Sequence, residues 1–220
     1  SSLSMTYYPI NMKDPLLGKN KHLRKAFAYA LDIPQYIELL RNGRARKAHT
    51  IVPYAIEGSE KDVGQFSYEF DLQKASKHLS LAGYPKGKGL PTFKIMMSSS
   101  SQGDKNHFEF LRNSLSKVGI IVKPDYKSWS SFIQAKERGD FQIATGSWGG
   151  DYPDPENFYQ LFYGPHRPPG QNASGFDHPE YNTLYKKMRF MENGPKRFAI
   201  ITRMAKILHE EVPVILDNTP

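Results

Sequence analysis

The chain has 220 residues, 39% apolar and 24% charged, with a formal net charge of +8 and no cysteine. This is the composition of one sizeable or two small folded domains; it excludes a disordered chain, disulfides, thiolate metal sites and a cysteine nucleophile. No apolar run reaches the roughly 18 residues a membrane-spanning helix needs. The opening Ser1-Ser2-Leu3-Ser4 runs straight into strand-like sequence with no charged-then-apolar leader, so an export signal is expected upstream or already removed. The densest cations are Arg41, Arg44, Arg46 and Lys47, with Lys19, Lys21, Arg24 and Lys25 before them. No aromatic residues interleave with them. The patch reads as solvated surface, and a nucleic-acid-binding module is the alternative.

In chain order, Met5 to Met12 reads as a strand. Leu23, Ala26, Phe27, Ala30 and Leu31 recur at helical spacing. Asp32 caps a second helix with Pro34 in its first turn, carrying Tyr36, Ile37 and Leu40 and stopping at Asn42-Gly43. Residues 49–70 are irregular. Asp71 caps a helix with Leu72, Ala75, Leu79 and Ala82 inward, closed by Gly83. Phe93, Ile95 and Met97 alternate as a strand, and a helix follows on Phe108, Leu111, Leu115 and Val118. Ile120-Ile121-Val122 is a second strand, Ser128 caps a helix through Phe132 and Ala135, and Phe141 and Ile143 mark a third strand. Strand, helix, strand, helix, strand at this spacing implies right-handed parallel crossovers. Two helices follow, one on Tyr181, Leu184, Tyr185, Met188 and Met191, the other starting at Pro195 with Phe198, Ile201, Ala205 and Leu208. Val212 to Leu216 begins a strand. The fold class expected is α/β: a mixed, largely parallel sheet flanked by helices, forming a single domain over residues 1–220.

Ligands of parallel sheets bind beyond the carboxyl ends of the strands. The loop after the third strand, Ser147 to Pro155, has the composition for this. Trp148 offers an aromatic face, Gly149 and Gly150 let backbone approach a ligand, and Asp151 offers a carboxylate that can hold an ammonium by a charge-assisted hydrogen bond. Trp148 stacks on a ligand or closes the core; both readings stand. Asp154, between two prolines, is read as a cap of the turn from Glu156. Catalytic patterns are absent: the seven histidines lack metal-ligand spacing, and there is no nucleophile elbow and no phosphate loop. The chain is read as a binding protein, not an enzyme, with no metal and no cofactor.

The order of motifs resembles family 5 extracellular solute-binding proteins, the oligopeptide-, dipeptide- and nickel-binding components of ABC importers. Leu23-Arg24-Lys25-Ala26-Phe27-Ala28-Tyr29-Ala30-Leu31-Asp32 resembles the helix opening that family's second lobe. Asp71 to Pro85 is similar to its helix ending Ala-Gly-Tyr, Val118-Gly119-Ile120 to its second strand, and Asp140 through Pro155 to its most distinctive loop. His178-Pro179-Glu180-Tyr181 and Glu210-Glu211-Val212-Pro213 match its last helix start and final helix-to-strand step. The resemblance implies one lobe of a periplasmic-binding-protein type II-like fold, with the first lobe of the same protein absent. It implies a monomeric receptor, periplasmic or extracellular and in some cases lipid-anchored, that closes on a peptide and delivers it to an ABC permease in the membrane. It places the ligand at Trp148, Gly149, Gly150, Asp151 and Tyr152, with the peptide ammonium on Asp151. A nickel chelate, haem or oligosaccharide is the alternative ligand. Where oligopeptide binders often carry a basic residue before the Trp, this sequence has Ala144-Thr145-Gly146.

Overall fold

The computed structural model describes residues 3–220; Ser1 and Ser2 lie outside the described residues. Strand β1 (Ser4–Pro9) is the spine of the molecule. Its side chains alternate between two cores, as a period of two dictates. Met5 and Tyr7 join one cluster of buried side chains, and Tyr8 with the following Ile10 joins the other.

The first cluster forms around α1 (Lys21–Ala30), α2 (Ile33–Leu40), α4 (Leu72–Leu81) and α5 (Gln102–Ser116). Each helix start has its own cap. Asp32 Oδ1 accepts from Gln35 N at 3.1 Å, and Asp71 Oδ1 from Lys74 N at 2.9 Å. These satisfy backbone donors that a helix start otherwise leaves orphaned. α1 and α4 pack through Leu23, Ala26, Phe27 and Ala30 against Ala75 and Leu79. Asn42 and Gly43 both take positive φ where α2 ends, as the Asn-Gly pair predicts.

β3 (Phe93–Met97), β4 (Val122–Tyr126) and β5 (Ile143–Ala144) form a parallel sheet in the order β4-β3-β5, with α5 and α6 (Trp129–Arg138) as crossovers. The second strand begins at Val122, two residues later than the apolar run Ile120-Ile121-Val122 suggests. Ile120 is buried beside the turn where Gly87 and Gly119 touch, and Ile121 is 55% exposed. A Cβ on Gly119 would fall 2.1 Å from Lys86 O, so only glycine fits there.

The remaining strands are antiparallel. β6 (Gly146–Gly149) and β7 (Val214–Leu216) flank β1, and β2 (Arg46–Lys47) pairs with β8 (Asn218–Thr219). A bridge between Ile10 and Ile143 ties the antiparallel and parallel sheets together. The expected mixed sheet is present, with its parallel part confined to one of three small sheets. The stretch from Ser147, read from sequence as a loop, starts as strand β6: Trp148 and Gly149 are strand residues, paired with Met5 and Ser4. The second cluster lies under that side of β1 and is built from α7 (Glu156–Tyr159), α8 (Pro179–Met188) and α9 (Pro195–Glu211). α3 (Glu60–Val63) packs on α9. Arg24, 3% exposed, donates to Glu211 O at 2.6 and 3.0 Å and to Leu17 O at 2.8 Å, so the end of α9 is capped from α1.

Candidate functional site

The residues that follow the three parallel strands meet in one place. Ser98 succeeds β3, Trp129 opens the helix after β4, and Thr145 succeeds β5; together they line a cleft of about 220 Å³. This is where a parallel sheet leaves its loops free to bind. Behind these residues lies a polar wall. Tyr8 Oη lies 2.6 Å from His107 Nε2 and donates to Asp217 Oδ2 at 3.4 Å, while Thr6 Oγ1 donates to Asp217 Oδ2 at 3.2 Å. Asp217 is 2% exposed, and its Oδ1 has no partner. Burial pushes its carboxyl up to about 6 and drives His107 down to about 4, so His107 is neutral. The sequence reading missed this cleft. Trp129 is 67% exposed at its mouth, an unpartnered aromatic that a helix periodicity alone assigns to neither core nor ligand.

β6 carries the wall on to the predicted site residues. Ser147, opposite Thr6, lines the cleft, whereas Trp148, opposite Met5, faces the second cluster. Its indole is half-buried there, and Nε1 donates to Asn157 Oδ1 at 2.9 Å. The same oxygen accepts from Asp151 N at 3.3 Å. Asn157, 1% exposed on α7, thus fixes both residues, and sequence reasoning missed it. The two glycines differ. A Cβ on Gly150 would meet the Phe158 ring at 2.9 Å, a constraint of the scaffold, while Gly149 faces open space. β6 is an edge strand. Because Gly150 N donates to Leu3 O, ladder alternation turns the N–H and C=O of Ser147 and Gly149 toward the open edge.

Three carboxylates follow within six residues. Asp154 accepts from Arg197 twice, both at 2.7 Å, and its Oδ1 caps Glu156 N at 2.8 Å, the capping role expected from sequence. Burial raises Asp154, but the Arg197 and backbone hydrogen bonds outweigh it and hold the group below its ordinary value. Glu156 accepts from the hydroxyls of Tyr152 and Tyr185. Tyr152 is therefore tied to the scaffold, though 45% exposed. Asp151 alone of the three is exposed with no side-chain partner among the described residues. It does not stand directly beyond a parallel strand, as expected. β5 ends at Ala144, and Asp151 lies past the far end of β6, beside Leu3.

The basic patch is partly neutralised. Arg46 lies 3.5 Å from Glu60 and its guanidinium sits 3.6 Å from the Tyr54 ring centroid; Lys47 pairs with Glu69 at 2.8 Å. Among the described residues, no three His, Asp or Glu side chains are grouped to hold a metal ion, and no helix is long and apolar enough to cross a membrane.

A polar cleft beyond parallel strands, continued by an open strand edge and an unpaired carboxylate, defines a solute-binding α/β module. The chain belongs to the bacterial extracellular solute-binding proteins, family 5, whose middle-region model matches residues 1–169. It is 26% identical over 199 residues to the oligopeptide-binding protein OppA of Bacillus subtilis, covering 89% of this chain and 36% of that protein. It is 24% identical to heme-binding protein A of Haemophilus influenzae, covering 89% of this chain and 36% of that relative. The periplasmic binding protein DppA of Helicobacter pylori, solved with the peptide STSA, superposes with a TM-score of 0.87 at 26% identity, over 99% of this chain and 42% of that one. The chain thus spans little more than a third of the length of these curated relatives.

Proposed function

We propose that this chain is one lobe of a two-lobed receptor that captures peptides for an ABC importer, with Asp151 taking the ligand's α-ammonium. The observation that carries the reading is the contrast among the three carboxylates. Asp154 and Glu156 are consumed by Arg197, Tyr152 and Tyr185, and Asp151 is left facing solvent beside an open strand edge. An extended peptide laid along β6 would find outward backbone groups at Ser147 and Gly149, which recognise any peptide, and a carboxylate at the strand's end for its amine. The peptide-binding relatives support the ligand class.

The receptor works by binding and release, without turnover: a second lobe closes over the cleft and the ligand stabilises the closed state. It acts outside the cytoplasmic membrane, as a monomer, free or lipid-anchored, and hands its ligand to a permease. Calorimetry on the full two-lobed receptor tests the site. Asp151→Asn should weaken a free-amine peptide about 10- to 100-fold, the worth of one charge-assisted bond, and leave an N-acetylated peptide unchanged. Equal loss for both peptides, or none for either, removes Asp151 from the role.

A further inference from the structure

The cleft holds a positive charge that the chain itself does not balance. α6 presents Trp129, Phe132 and Lys136, at i, i+3 and i+7, along one wall of the cleft. Trp129 stacks on Phe132 at 5.9 Å between centroids, and the Lys136 ammonium lies 5.5 Å from the Phe132 ring. Lys136 makes no ion pair among the described residues, and burial alone lowers its pKa. A desolvated ammonium without a counter-ion is costly, so this wall gains stability when an anion enters.

The acids of the same cleft are engaged elsewhere. Asp104 Oδ2 accepts from the hydroxyls of Ser99 and Ser101, and Asp217 Oδ2 from Thr6 and Tyr8. The other cation, Arg41, stands exposed at the end of α2. β6 links the wall to Asp151. From Ser147 to Gly150 the extended ladder covers about 10 Å, the reach of roughly three extended residues.

We infer that Lys136 is the anion anchor of this cleft, holding a carboxylate of the bound peptide while Asp151 holds its ammonium. The inference rests on the peptide-capture reading and adds a requirement to it: the ligand carries an anion a few residues from its amine. A terminal carboxylate and an acidic side chain offer the same chemistry to Lys136.

The test uses the full two-lobed receptor as wild type, Lys136→Met, Lys136→Arg and Asp151→Asn. Each is equilibrated with a mixed tri- and tetrapeptide library in three forms: free, C-terminally amidated and N-acetylated. Bound peptides are quantified by mass spectrometry. Wild type should retain free acids at least 10-fold over amides. Lys136→Met, with an unchanged thermal midpoint, should lose that preference yet still favour free amines over N-acetyl peptides, and Lys136→Arg should restore it. If Lys136→Met loses discrimination only among amides with and without Glu, the anchored group is a side chain. If wild type holds acids and amides alike, or Lys136→Met still discriminates, the Lys136 assignment is overturned while peptide capture stands. If wild type retains no peptide in any form, the peptide-capture reading itself falls.

Discussion

Asp151 and Asp154 stand three residues apart with the same chemistry, and what lies within hydrogen-bond reach gives them opposite roles. Asp154 faces Arg197, a residue 2% exposed, so Asp154→Ala should strand a buried guanidinium and cost about 3 kcal/mol in urea denaturation. Because the Asp154 carboxyl is held below its ordinary 3.8, this stabilisation is complete above that value and is lost as pH falls through the folded-state pKa beneath it. Asp217 runs the other way. Burial raises its pKa from 3.8 to about 6, so the folded state binds the extra proton. Its cost is absent below about 4, grows as pH rises toward 6, and is complete above, reaching about 3 kcal/mol. Asp217→Asn should flatten that slope. A stability curve between pH 4 and 8 measures it, and an unchanged slope would place the charge elsewhere.

Elements in this fold are closed by contacts that lie far apart in sequence. α1 and α9 are joined by Arg24, whose guanidinium serves carbonyls at the end of α9 and before α1. Arg24→Met keeps the stem and removes these bonds, leaving orphaned carbonyls; a loss of about 2 to 3 kcal/mol in thermal or urea unfolding is expected. The turn at Gly87 and Gly119 is closed backbone against backbone. Gly119→Ala would drive a methyl into Lys86 O at a φ of 90°, and should cost about 2 to 3 kcal/mol by the same measurement. Gly149→Ala, in open space, is the matched control and should leave stability within about 0.5 kcal/mol.

Taken whole, the molecule presents one side of a binding surface. The cleft opens to solvent past the parallel strands and Trp129 is exposed at its mouth. A receptor that encloses its ligand between two lobes gains most of its affinity from desolvating contacts that one lobe cannot supply. The isolated 220-residue chain should therefore bind peptides at least 100-fold more weakly than the two-lobed receptor in parallel calorimetry. Comparable affinity would mean that this chain holds the complete site.

The capped helices, the parallel crossovers and the Trp148 to Pro155 stretch were legible in the amino-acid order because each is a local signal. An Asp or Ser before an apolar period, a Gly after it and alternation within five residues act over one turn of chain. β6 was not legible: Gly-Ser-Trp-Gly has little intrinsic strand preference, and it extends only because β1 offers it a partner. The roles of Asn157, Arg197 and Asp217 were hidden for the same reason, each being set by neighbours that the fold brings in from elsewhere. Sequence by itself determined which elements form and where a binding loop stands. Tertiary structure alone decided which carboxylate is spent on the scaffold and which remains free, since hydrogen bonds act over about 3 Å of space, whatever the separation along the chain.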